Sequence, residues 1–418
     1  MEFAQIIMVV TLILMISGRV PIYLTAVIGS SIAAMVAGFP FGGKGEITIV
    51  KLINSGLHPV IADMVGVLVF IGIMERTGFL NAIIVKIMEA GRKLGGGPGV
   101  CTAGGIAAGI IGALTGFTQP AITAVITGPA AVELGVDPSK AAGVQAHAGN
   151  FGNFAGFTHP TMVAIIATAG IGFGMLNVIG AVCTLAIFAV SFYRLRQEDK
   201  NRVIPAASSF DELAAAYNGE NQVSFSKAIF PFVILVIGFA FGYPILLVGV
   251  LSSLIVALLA GMPLAKGENA MMEGVNRIAI PLFATIAFLY MSSVINKVGL
   301  VSLLSDWFAP YLKLAPIQIM LLVSALTGLV TQSNAASAAI VVPFLQIVLK
   351  IGADPFAAAV AAVGGCAIMQ YFLTGGPVSA LATVIPVIPD SELKAANRFQ
   401  RPSILVGLLI TFIFTFFI

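Results

Sequence analysis

An all-α polytopic membrane protein made of two inverted copies of one unit is the fold class this sequence predicts, on three observations. The first is composition: the 418 residues are 59% hydrophobic and 9% charged, with a mean hydropathy of +1.05. Soluble domains carry roughly a quarter charged residues. Here, apolar runs of the ~20 residues needed to cross a bilayer recur from end to end. The second is glycine and proline content, 45 and 21 residues, which is too high for straight helices alone. Membrane helices tolerate it where they pack closely or where broken backbone lines a cavity.

The third is internal repetition. AGFPFGGKGE (Ala37–Glu46) recurs as AGMPLAKGE (Ala260–Glu268), and Pro59 matches Pro281. ERTGFL (Glu75–Leu80) matches NKVGLV (Asn296–Val301), and ALTGFTQP (Ala113–Pro120) matches ALTGLVTQSN (Ala325–Asn334). ELGVDP (Glu133–Pro138) matches KIGADP (Lys350–Pro355). Anchors in the same order divide the chain into halves at 1–193 and 228–418, joined by a charged linker, 194–227. The linker holds ten of the 39 charged residues, and Ser209 three residues before Glu212 resembles a capping box.

Each half parses alike. Two spans open it (about 4–17 and 20–38; 228–243 and 245–262), followed by a short amphipathic segment and a third span (59–75; 281–295). The opening run has no basic n-region and no cleavage site, so it reads as a retained span. An arm follows (79–94; 300–313). Phe79, Leu80, Ile83, Ile84, Ile87 and Met88 share one face of the first arm, opposite Lys86, Glu89, Arg92 and Lys93, as an interfacial helix requires. Two short apolar runs about a polar tip then predict a re-entrant hairpin (98–134; 316–350). A discontinuous helix (138–172; 355–388) and a final span complete the half.

Five crossings per half invert the second copy, as inverted repeats require. With the linker cytoplasmic, sixteen of the 21 Lys and Arg residues fall inside, as the positive-inside rule demands. This places both termini outside a bacterial inner membrane.

Polar residues at membrane depth fall in two places per half. One is the hairpin tip: Thr115, Thr118 and Gln119, then Thr327, Thr331, Gln332, Ser333 and Asn334. The other is the helix break: His147, Asn150, Asn153 and His159 in HAGNFGNFAGFTHPT, then Gln370 and Thr374 in GGCAIMQYFLTGGPVSA. Helix breaks free N–H groups that favour anions and carbonyls that favour cations. The expected substrate contacts are Thr115, Thr118, Gln119, Asn150, Asn153, His159, Thr331, Gln332, Ser333, Asn334, Gln370 and Thr374. A coupling ion falls to His147, His159, Gly116 and Gly328: Na+ at the hairpin tips, or H+ on a histidine.

Blander readings stand beside these. Small and hydroxyl residues also serve close packing, as His147 could. Asp63 near a span end suits snorkelling or ion pairing, and Asp137 and Asp354 before prolines suit turns. Cys101, Cys183 and Cys366 are scattered through apolar segments and read as inert. GFPFGGKG (Gly38–Gly45) resembles a P-loop but has Gly45 where Ser or Thr belongs and no preceding strand. No nucleophile–base pair or metal-ligand cluster is readable, which argues against an enzyme, and no cofactor is expected beyond the coupling cation.

On GFTQPAITAVITGPAAVELGVDPSKAAGVQAHAGNFGNF and TQSNAASAAIVVPFLQ, the chain resembles the ion transporter superfamily of bacterial organic-anion carriers. That group includes gluconate and lactate permeases and the large membrane subunit of TRAP transporters. The resemblance implies inverted repeats, re-entrant hairpins, homodimers and elevator movement of a transport block against a scaffold. It carries an expectation of import of a small hydroxy- or monocarboxylate, or a dicarboxylate, coupled to H+ or Na+. The alternatives are a TRAP-type subunit working with a soluble binding protein and a passive anion channel.

Overall fold

The computed structural model describes residues 1–17, 19–55, 57, 60–115, 121–199, 223–241, 243–276, 279–373 and 380–418. All regular structure among them is helical. The first half supplies α1 (Glu2–Ile16), α2 (Ile22–Val36), α3 (Ile49–Asn54), α4 (Val60–Arg76), α5 (Phe79–Thr115), α6 (Ala121–Glu133), α7 (Pro138–Gln145), α8 (Ala148–Ala155), α9 (Pro160–Ala169) and α10 (Met175–Asp199). The second supplies α11 (Phe225–Ala240), α12 (Ile245–Ala260), α13 (Leu264–Asn276), α14 (Ala279–Lys297), α15 (Leu300–Leu312), α16 (Pro316–Thr331), α17 (Asn334–Lys350), α18 (Pro355–Met369), α19 (Ala380–Val384) and α20 (Leu393–Phe414). The Ser209–Glu212 capping box falls outside the described residues.

Local chemistry sets the helix ends. Pro138, Pro160, Pro316 and Pro355 each sit in a first turn, where the missing N–H costs nothing. Asp137 accepts from Lys140 N–H at 3.0 Å and Asp354 from Ala357 N–H at 2.8 Å, so both aspartates are N-caps. Gly170 and Gly261 close α9 and α12 in the left-handed region, at φ 67° and 66°, where glycine pays no steric penalty. Asp63 caps another helix, accepting the Ile245 N–H at 3.1 Å. Its carboxylate lies against the positive end of α12.

Three expectations need amendment. The arm and the first limb of the hairpin remain two helices within α5, divided by non-helical Gly95 and Gly96, the latter at φ 57°, and it is the arm's surroundings that differ. Phe79, Leu80, Ile83, Ile84 and Met88 are buried within protein, with Ile87 partly so, because α4 and α11 cover that face. Lys86 and Glu89 pair at 2.8 Å on its exposed side. The first discontinuous helix is three pieces, α7 to α9, with an added turn at Ala146–His147. Among the described residues only α10 and the two-part α5 have the length and apolarity of a full crossing, and α14 with α15 forms a pair bent by 72°. Seven further apolar helices among the described residues have 10–17 residues, short of a ~30 Å hydrocarbon core at ~1.5 Å per residue.

The halves exchange partners. Helix α4 packs on α12 and α13, and α14 packs on α2 and α3. The α4–α13 seam is closed by glycine: a Cβ on Gly72 would lie 2.7 Å from Gly274 N, and one on Gly274 would strike Leu68 O. The α3–α14 seam instead opens into a polar cavity of about 440 Å³ beside Lys51, Ser293 and Lys297. A second packing group contains α5 to α10 with α16, α17, α18 and α20.

Candidate functional site

The site is built where the second hairpin tip meets the first helix break. Thr331 ends α16, and Gln332 turns the chain at φ 49°. That positive φ is rare for a non-glycine residue. Ser333 then N-caps α17, its Oγ accepting Ala336 N–H at 3.3 Å. Thr331 Oγ1 holds the tip from inside, 2.8 Å from both Thr327 O and Ser337 Oγ. The polar run TQSN is thus first a cap and a turn. Its remaining member, Asn334, is free to reach outward.

Asn334 Nδ2 lies 3.1 Å from His159 Nδ1, and its Oδ1 accepts from Cys366 Sγ at 3.3 Å. Thr161 Oγ1 donates to Asn334 O at 2.9 Å. His159 is the N-cap of α9, with Pro160 at the first helical position. The starts of α9 and α17, from opposite halves, therefore meet through one amide and one imidazole. Both helix N-termini carry partial positive charge and uncommitted N–H groups. Asn334 Nδ2 also lies 3.5 Å from His159 Nε2, so the amide faces both ring nitrogens and the neutral ring accepts through whichever one carries no hydrogen.

The carbonyl ends of the breaks are already occupied. Asn177 donates to Ala155 O at 3.1 Å and Gly156 O at 2.7 Å, while its Oδ1 accepts Gly174 N–H at 2.9 Å. Phe157 N–H and Thr158 Oγ1 cap Ala113 O (2.7 Å) and Leu114 O (3.3 Å) at the end of α5. The loop 156–159 thus lies between the last turn of the first hairpin limb and the tip of the second.

At the end of α18, Asn150 reaches Ile368 O at 3.2 Å, Gln400 reaches Tyr371 O at 2.7 Å and Asn397 reaches Phe372 O at 3.0 Å. Asn153 donates to Tyr371 OH at 2.7 Å, and a Cβ on Gly149 would press on that ring, 2.5 Å from Cζ.

Of the residues singled out in the sequence, His159, Thr331, Gln332, Ser333 and Asn334 gather at one place. Asn150, Asn153 and Gln370 are buried around the end of α18, Gln370 donating to Ala367 O at 3.3 Å. His147 is buried elsewhere, its Nε2 2.7 Å from Ser191 Oγ, which lies 2.7 Å from Ser403 Oγ. Gly328 sits where α16 crosses α18, since a Cβ there would lie 2.8 Å from Cys366 Cα and O. Thr115 ends α5. Gly116, Thr118, Gln119 and Thr374 lie outside the described residues.

Sequence reading missed Thr161, Cys366, Asn177 and Tyr371. Thr161 lies inside the quoted break and was legible. Cys366 was read as inert because a lone thiol carries no spacing signal. Among the described residues no group of three His, Cys, Asp or Glu side chains could hold a metal ion.

No family model matches the chain, and no curated protein matches it. Among solved structures it is similar to MtrF of Neisseria gonorrhoeae, described as illuminating a class of antimetabolite efflux pumps. The TM-score is 0.63 at 16% identity, covering 95% of each chain. It is also similar to the YdaH transporter of Alcanivorax borkumensis, described as having an unusual topology. There the TM-score is 0.62 at 14% identity, over 88% of this chain and 86% of that one. The fold is that of a membrane transporter.

This corrects the sequence reading of an organic-anion importer. These neighbours are not the permeases that the motifs resemble, and MtrF stands for efflux pumps. The tip and break motifs follow from fold construction, as the capping roles of Ser333 and Asn177 illustrate. Motifs that build a fold specify neither cargo nor direction.

Proposed function

We propose that this chain is a proton-driven exporter of a small polar solute. Its observation of record is the contact between Asn334 Nδ2 and His159 Nδ1 at 3.1 Å. Neutral His159 accepts that hydrogen bond. A protonated ring would present N–H to N–H and break it. A proton on His159 and an undisturbed tip exclude each other, which is the exchange an antiporter needs. The buried helix starts at Asn334 and Thr161 would offer N–H donors to an electron-rich group on the cargo once the tip opens. The outward direction is carried over from MtrF.

The inverted repeat and elevator readings belong to this proposal. The matching order of helices in the halves, and the exchange of partners between α4 and α14, support the repeat. Bonds from Asn150 and Asn153 of the first half to α18 of the second support a transport block that moves as one body. In that reading α1–α4 and α11–α14 form the scaffold.

The test is uptake into inside-out vesicles under an imposed pH gradient, with a panel of antimetabolites as cargo. His159→Gln keeps an acceptor but does not titrate, so it should still bind cargo while losing dependence on the pH gradient. Unchanged proton dependence in that variant would sink the reading. Asn334→Ala should lower transport about tenfold, the effect of losing one net hydrogen bond of ~1–1.5 kcal/mol.

A further inference from the structure

Between the transport block and the scaffold lies an apolar cavity of about 650 Å³, walled by Leu114 of α5, Phe157, Val178 of α10, and Phe232 and Val236 of α11. Among the described residues that line it, the one polar side chain is Asn177, and both ends of that amide are consumed by Gly174 N–H and the carbonyls of Ala155 and Gly156. The backbone N–H of Phe157 is equally spent, on Ala113 O. A buried water needs two to four polar partners, and this wall offers none on its side chains. Water is therefore a poor occupant, and so is the polar cargo proposed for His159 and Asn334.

Each side of the mouth continues into a row of exposed apolar side chains. On α10 these are Met175 and Val178, 63% and 52% exposed, and on α11 Val236, 48% exposed. In a membrane transporter such rows face hydrocarbon, so the cavity is a recess in the lipid-facing surface. From this we infer that it is a binding site for one acyl chain of a bilayer lipid, held between α10 and α11. The recess abuts the loop that carries His159 two residues beyond Phe157, so its occupant borders the site without entering it.

Native mass spectrometry of the full chain, delipidated and then exposed to phosphatidylcholine in detergent, tests this. Wild type should retain one lipid per chain. Ala181→Phe, which projects a ring into the cavity, should lower occupancy roughly tenfold, about 1.4 kcal/mol. Leu326→Phe, on an exposed face of α16, should leave it unchanged, and Phe232→Ala, which enlarges the recess, should retain the lipid. Equal retention in Ala181→Phe and wild type would overturn the inference. So would displacement of the lipid by a transported antimetabolite, which would assign the cavity to the cargo. Because the readout is lipid retention, it stands or falls independently of any transport assay.

Discussion

The two helix breaks, after α8 and after α18, are held in different ways. After α18, three backbone carbonyls and the Tyr371 hydroxyl are each met by a side-chain amide, drawn from α8 and α20. After α8, Asn177 settles the carbonyls, and the far side of the break is joined to the other half through Asn334, His159 and Thr161. The first arrangement is an anchor, since loss of Asn397 or Gln400 removes the side-chain donor to a carbonyl beyond the helix end. The second is a junction between the halves made by one amide, one imidazole and one hydroxyl. The proposed function places the moving part at the 156–161 segment and the support at the end of α18.

Substitutions should separate the two. Gly149→Leu drives a side chain into Tyr371 and should cost about 3 kcal/mol or more, read as loss of folded protein on size-exclusion chromatography in detergent. Asn177→Ala strands two carbonyls and an N–H and should cost about 2–3 kcal/mol in thermal unfolding. Ser333→Ala removes the α17 cap and should cost about 1 kcal/mol. Asn334→Ala should change stability least of the four, while transport falls. If Asn334→Ala destabilised as much as Asn177→Ala, the distinction between anchor and junction would fail.

Much of this fold is written locally. Asp137 and Asp354 before proline are readable as helix starts, and the glycine and proline breaks announce where helices stop. The TQSN tip is visible because four hydrogen-bonding side chains in an apolar run demand an explanation. What the sequence leaves out is pairing at a distance. Nothing near Asn177 says that it closes the carbonyls of Ala155 and Gly156, and nothing near Cys366 says that it meets Asn334. The arm misled for the same reason: an apolar stripe opposite charges suits a membrane surface as well as a protein groove. Only the positions of α4 and α11 decide between them.

The account rests on a cross-half unit of His159 and Asn334, and a double-mutant cycle in reconstituted vesicles tests it most directly. His159→Ala, Asn334→Ala and the double variant would be compared for pH-gradient-driven efflux. Residues acting through one contact are non-additive, so the double variant should be no slower than the worse single. Effects that simply add in free energy, or singles that transport like wild type, would contradict it.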